Sequence, residues 1–443
     1  MLQRVSPTEL NNSMVPVGKA DFPLPFKQAL EYCAPVREAW NIVHIGMLLP
    51  QAHQIYVCAD NCMRGVTMTA AEMGEAERFH CVIINERDMI YTNLDEITIE
   101  GVTDVLNKLD ELPPAVLLFT VCVHHFLSSD IEHIYRELES RFPGINFIRC
   151  WMDPVMQKNH LFPDVVERNA MLDKVPLRDV NPKQVNVFGA DIPLDKDSEL
   201  EKMIEDAGCI VHEFPRFETY EDYLKIGEGR INITTYPAFK YGADNYSERT
   251  GRTNLYMPPS FNFEEIDEQL KTLSDALGVK MPYVDELKVK CEVRLHELKK
   301  ELGDTTVFLD YIAHTRPLGL ARMLLNYGIN VKRVYLDAVM GEEENDFKFL
   351  KDNYPYLELC ATVRPVMRVV DRNSDDKVLA IGPKAAFFAN TEFFVDQIEC
   401  GGLWGYTGII KLCDKISEAF GTPKDVKKAV SIKGAGNRCL PFE

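Results

Sequence analysis

The sequence predicts an α/β protein of three units in tandem, each built on a parallel sheet. Three observations lead there. Short unbroken apolar runs such as Val116-Leu117-Leu118-Phe119 mark strands buried on both faces. Amphipathic helical segments separate them, so the chain crosses over between strands and returns in the same direction. A length of 443 residues, 46% hydrophobic and 26% charged, suits about three ordinary globular domains.

The elements follow in order. Residues 1–25, with Pro7, Pro16, Pro23 and Pro25, read as an irregular arm. Phe26 to Trp40 has helical spacing, interrupted near Cys33 because Pro35 lacks an N–H and restricts the residue before it. Strands are expected at 55–58, 80–84, 115–121 and 146–150, with helices at 66–78, 100–111 and 130–141. This first domain, residues 1–184, ends in the loop-rich PLRDVNPK.

The second domain, 185–300, has strands at Val185 to Phe188, Cys209 to Phe214 and Ile231 to Tyr236. Helices follow at 199–207, 238–250 and 261–278, then a charged amphipathic connector from Asp285. The third, 301–443, repeats the alternation, with strands at 307–309, 331–336, 357–363 and 378–382. Its helices fall at 318–327, 345–353 and 409–420, before a lysine- and glycine-rich tail.

Composition excludes several functions. A formal charge of −19 argues against nucleic acid, which requires a concentrated basic surface. No apolar run approaches the ~20 residues that span a bilayer. MLQRVSPTEL lacks a secretory signal's design, so a cytoplasmic protein is expected. No GxxxxGK[ST] loop is present, so this chain is not expected to bind and hydrolyse nucleotide. GxGxxG after a strand, GxSxG, HExxH and paired CxxC are missing as well.

Twelve cysteines remain to be explained, and in the cytosol they are free thiols, catalytic groups or metal ligands. Two segments share one grammar. IYVCADNCMRG ends a strand and at once presents Cys58 and Cys62; LLFTVCVHHFLSSD ends another and presents Cys122, then His124 and His125. Carboxyl ends of parallel strands are where open α/β sheets bind ligands. Adjacent residues on a regular element point apart, so only one of the two histidines can share the site of Cys122. Asp130 stands where an N-cap belongs, before the helical DIEHIYRELESR.

With Cys33 added, the cysteines form a pattern of spacings 29 and 60. That pattern resembles the component 1 family of nitrogenases, which includes nitrogenase and dark-operative protochlorophyllide reductase. Cys33 with Pro35 matches the family's first cysteine, Cys62 the second, and Cys122 with Asp130 the third and its acidic follower. Asn61 replaces the usual glycine, and Cys58 falls in the usual His-Gly-Pro stretch. VNVFGAD and LWGYTG resemble the opening of the family's second domain and the turn before its last helix.

The resemblance implies three Rossmann-like domains around a central cleft. It also implies an iron–sulfur cluster, of the [4Fe-4S] kind, on Cys33, Cys62 and Cys122 at a subunit interface. The fourth position falls to a partner subunit, to Cys58 or to a non-cysteine group. Implied partners are a second copy or a sister subunit, a separate ATP-dependent iron–sulfur reductase, and a small-molecule substrate. His124, His125 and Asp130 are candidates for proton donation or support of the cluster. Cys209 and Cys400 lie in contexts unlike the family's second metal site, and no histidine follows His314, which argues against dinitrogen reduction. Two further readings stay open: a cluster-assembly scaffold of the same fold, and a metal-free small-molecule-binding protein.

Overall fold

A computed structural model of the chain describes residues 10–27, 41–153, 161–370, 372 and 377–431. Cys33 and Pro35 lie outside them. The parallel sheets expected from the apolar runs are present, three in number among the described residues.

The chain opens with a short strand, β1 (Met14–Pro16), in the stretch expected to be irregular. The first sheet is then built from α1 (Ile42–Met47), β2 (His53–Ala59), α2 (Asp60–Glu72), β3 (Phe79–Ile84) and α3 (Glu86–Tyr91). It continues through α4 (Leu94–Asn107), β4 (Ala115–Val121), α5 (Cys122–Phe126), α6 (Ile131–Arg141) and β5 (Asn146–Met152). Its order is β3-β2-β4-β5, with every pairing parallel. After α7 (Pro163–Asp173) comes the second sheet, from β6 (Asn181–Phe188), β7 (Ile210–His212), β8 (Gly229–Thr234) and β9 (Asn254–Tyr256), ordered β7-β6-β8-β9. The helix α8 (Pro237–Thr250) crosses between β8 and β9.

These two sheets belong to one compact unit, Ala39–Pro193 with Cys209–Met257. One face of the first sheet joins a core that runs from Tyr56 and Phe119 through Met171 and Leu172 of α7 to Phe188 and Phe239. Tyr56 and Phe119 stack with ring centroids 4.1 Å apart. The other face, with Ile55, Val57 and Leu118, is covered by Val102 of α4 and Ile134 and Leu138 of α6. Burial on both faces is why β4 reads as an uninterrupted apolar run. Each such Leu or Phe contributes about 1.5–3 kcal/mol of transfer free energy.

The other compact unit comprises Met1–Glu38, Leu194–Gly208 and Pro258–Glu443. Its sheet uses β10 (Thr306–Asp310), β11 (Val331–Tyr335), β12 (Glu358–Cys360), β13 (Val378–Ile381) and β14 (Phe394–Val395), ordered β1-β12-β11-β10-β13-β14. Only β1 is antiparallel, Met14 standing opposite Cys360. As an edge strand it tolerates Pro16, whose missing N–H no second neighbour needs.

Candidate functional site

In each sheet the winding direction reverses between the first-formed strand and its later neighbour: β2 and β4, β6 and β8, β10 and β13. A crevice opens outside the strand ends at such a reversal. In the third sheet the chain fills it itself. Asp310, at the end of β10, is fully buried and accepts from the backbone N–H of Ala313 (2.9 Å) and Ala385 (2.7 Å). In the first sheet the reversal lies between β2 and β4, and the residues that follow those two strands are the ones carrying Cys62 and Cys122.

Cys62 sits in the first turn of α2, which begins at Asp60, six residues before the expected start. The apolar periodicity begins only at Val66, so the polar first turn read as a loop. Cys62 is exposed and Cys122, the first residue of α5, is half-buried. Burial pushes the Cys122 thiol up, with Asp153 and Cys62 adding to the effect, while the N–H groups of Val123 and Cys122 oppose it.

Cys58 differs. Its side chain is on the core face of β2, fully buried, with its S–H directed at Met63 Sδ. Burial, and then the neighbouring thiols of Cys62, Cys81 and Cys122, push it up to about 12. Three cysteines expected from the sequence, Cys58, Cys62 and Cys122, are therefore electrostatic neighbours at one sheet end. The fourth, Cys33, is outside the described residues. Among the described residues no three His, Cys, Asp or Glu side chains form a ready metal cage.

The two histidines after Cys122 part company. His124 is buried. Its Nδ1 accepts from the Val121 N–H at 3.2 Å, so its Nε2 carries the proton and donates to Thr98 Oγ1 at 3.1 Å. Burial holds its pKa down to about 4. His125 turns outward, donates from Nδ1 to the buried carboxylate of Asp153, and stacks on Trp151 with centroids 4.6 Å apart. Asp130 is exposed and caps α6, accepting from the His133 N–H at 2.9 Å.

Asp153 and Trp151 were not singled out in the sequence. The strand was expected to end at Cys150, but β5 runs two residues further, and this carries both side chains to the carboxyl end beside β4. An aspartate directly after an aromatic strand end was the available signal. Elsewhere, Cys209 and Cys400 are both buried, Cys400 with its Sγ 3.6 Å from Thr315 Oγ1. His314 is buried too, its Nδ1 accepting from the Arg316 N–H at 3.0 Å.

A separate cleft of about 190 Å³ lies between α9 (Phe263–Leu277) and α10 (Pro317–Asn326). Its two guanidiniums already hold carboxylates: Arg316 pairs with Glu265 at 2.7 Å and Arg322 with Asp346 at 2.9 Å.

No helix among the described residues is long and apolar enough to cross a membrane. No curated protein matches the sequence. Two solved structures of nitrogenase Cp1 share the fold. The one at pH 6.5 superposes with a TM-score of 0.67 at 14% identity, covering 89% of this chain and 94% of that one. The one at pH 5 gives 0.58 at 13% identity, covering 94% and 95%. The family model for nitrogenase component 1 type oxidoreductases matches residues 45–421, and the chain belongs to that family.

Proposed function

We infer that this chain is the catalytic component of a nitrogenase-like reductase that passes low-potential electrons to a small organic substrate. The observation that carries this reading is the convergence of Cys62 and Cys122 at the reversal point of the first sheet. Thiol donors in a strand-end crevice suit an iron–sulfur group, for which soft thiolate ligands are required. Cys33 is the third ligand in this reading. When bound, the cluster supplies one-electron transfer at a potential set by its burial and by hydrogen bonds to sulfur.

The chain's own residues do the rest. The N–H groups of Val123 and Cys122 at the start of α5 favour negative sulfur at Cys122. With no phosphate loop in the sequence, nucleotide-driven delivery of electrons is assigned to a separate ATP-dependent iron–sulfur reductase. Exposed apolar side chains stand on the elements around these strands: Met68 on α2, Ile83 on β3, Ile90 and Tyr91 at the end of α3, and Phe126 and Leu127 at the end of α5. Exposed apolar side chains of this kind support a second subunit, identical or a sister, packing on this unit.

Anaerobic purification tests the reading. The protein should be brown and contain iron and sulfide near one four-iron cluster per chain or per dimer. Cys62→Ala should lower both at least several-fold. Iron that stays absent after anaerobic reconstitution defeats the proposal. Consumption of reductant only when the partner reductase, ATP and a substrate are present separates a catalyst from a scaffold, which would instead hand its cluster to an apo-acceptor.

A further inference from the structure

We propose that the cleft between α9 and α10 binds a small organic acid, one carboxylate on an apolar or aromatic body, with Arg322 receiving the carboxylate. The inference goes beyond the reading of the thiols and does not depend on it. Every residue it uses belongs to the unit that holds the third sheet.

Space comes first. The cleft measures about 190 Å³. An apolar cavity of about 150 Å³ already takes a benzene ring, so one ring or a short alkyl chain fits together with its carboxylate. Gly319 is part of the lining, and a Cβ there would stand 3.2 Å from Asp346 Oδ2 and 3.6 Å from the Phe261 ring. A larger residue at this position would crowd both the cleft and the carboxylate that holds Arg322.

The apolar walls are set in advance. Phe261 packs on His314 with centroids 4.4 Å apart, and Phe263 meets Tyr406 edge-on at 5.1 Å. Together with Met323 they form the apolar side of the lining. Rings already held by neighbours lose little freedom when a ligand arrives.

The polar groups select the ligand. Arg316 is committed, its Nη1 donating to both oxygens of Glu265 at 2.9 and 2.7 Å. Arg322 is only half engaged. It donates from Nη1 to Asp346 Oδ1 at 2.9 Å, and its guanidinium lies over the Phe349 ring, 4.1 Å from the centroid. Its Nε and Nη2 make no hydrogen bond among the described residues. That edge carries two parallel N–H groups and matches the two oxygens of a carboxylate. Two amides in the lining add donors. Asn262 and Asn326 use Oδ1 as acceptor, from the Glu264 N–H and the Tyr354 hydroxyl, and neither Nδ2 is used among the described residues. Against these stand Asp346, already paired with Arg322, and Glu264, an exposed carboxylate that water screens. A cation would meet the open edge of a guanidinium, whereas a carboxylate completes it.

Calorimetric titration of the full-length protein tests this, with phenylacetate and hexanoate as probes and phenylacetamide and phenethylamine as their neutral and cationic counterparts. At least one acid should bind saturably, with a Kd of about 1 mM or tighter. It should bind about tenfold more tightly than the amide or the amine. Arg322→Lys keeps a cation beside Asp346 but loses the fork, and should weaken the acid about tenfold. Arg322→Met should remove saturable binding. Circular dichroism and melting temperature identify a variant that has lost its fold, and the comparison of acid, amide and amine on the unaltered protein then decides alone. No saturable binding of either acid overturns the proposal, as does an amide or amine that binds as tightly, or acid binding unchanged in Arg322→Met. Each of these results leaves the reading of the thiols standing, because that reading is tested by iron content.

Discussion

At His124 both ring nitrogens are engaged inside the first sheet's helical layer, and its depressed pKa of about 4 makes folding sensitive to acid. The unfolded chain binds a proton below about pH 6.5, while the folded one does so only near 4, so stability is lost as pH falls through that window. At pH 5 the loss is about 2 kcal/mol for this residue. Urea titrations at pH 7 and 5 should record it, and His124→Gln should flatten the pH dependence while lowering stability at pH 7. Cys58 gives a second expectation at this scale. As a buried thiol packed on Met63, Cys58→Ala should cost about 1–2 kcal/mol through the cavity left behind and leave iron content at the wild-type level. Loss of iron in that variant would return Cys58 to the ligand set. The sequence pattern set Cys62 with Cys33 and Cys122 and left Cys58 as a further ligand candidate. The structure seals Cys58 on the core face of β2 with Tyr56, and the period-2 alternation from Tyr56 to Cys58 carried that information.

At the scale of elements, helix ends decide both the site and much of the pH response. Glu343 accepts from the N–H groups of Leu318 (2.7 Å) and Gly319 (2.9 Å) in the first turn of α10. Burial, chiefly, pushes its carboxyl up to about 8. A raised folded pKa means stability that is present below the unfolded value and lost as pH rises towards 8. Glu343→Gln keeps an acceptor without ionising, so its stability relative to wild type should rise steadily from pH 5 to 8, measured by thermal unfolding. A gap independent of pH would contradict this. Gly382, between β13 and the helix that follows, has φ of 112°, and a Cβ there would stand 2.2 Å from Asp310 Oδ2. Gly382→Ala should therefore lower the melting temperature by several degrees.

The element boundaries show what a sequence carries and where it stops. β4 was legible to the residue because burial on both faces leaves an unbroken apolar signature. The start of α2 was missed because an exposed first turn has no periodicity to detect. β1 was hidden among prolines and exists only through its partner β12, more than 300 residues away. Asp153 and Trp151 were missed for the same reason at smaller scale: two residues of strand extension depend on pairing with β4, not on local preference.

For the whole molecule, strand order was the missing quantity. The motifs named the thiols, but only the order β3-β2-β4-β5 puts Cys62 and Cys122 in the helices that directly follow the two strands flanking the reversal. The same order leaves β3 as an edge, and at the end of the helix that follows it Ile90 is 70% and Tyr91 83% exposed. If a second subunit covers these two side chains, the double substitution Ile90→Asp with Tyr91→Asp should shift the protein to a smaller species in size-exclusion chromatography. Its far-ultraviolet dichroism should stay unchanged, since neither side chain contributes to the core.

Among the described cysteines, Cys62 alone is exposed while Cys58, four residues earlier, is sealed. That contrast turns the pair into an internal gauge. A brief pulse of a thiol-alkylating reagent, followed by peptide mass spectrometry, should mark Cys62 in bare protein and spare Cys58 on the same peptide. Once the site is loaded or a partner seated, the mark on Cys62 should fade. One tryptic fragment would then report the fraction of molecules carrying cargo, without any colour or iron assay, and could do so in crude extract.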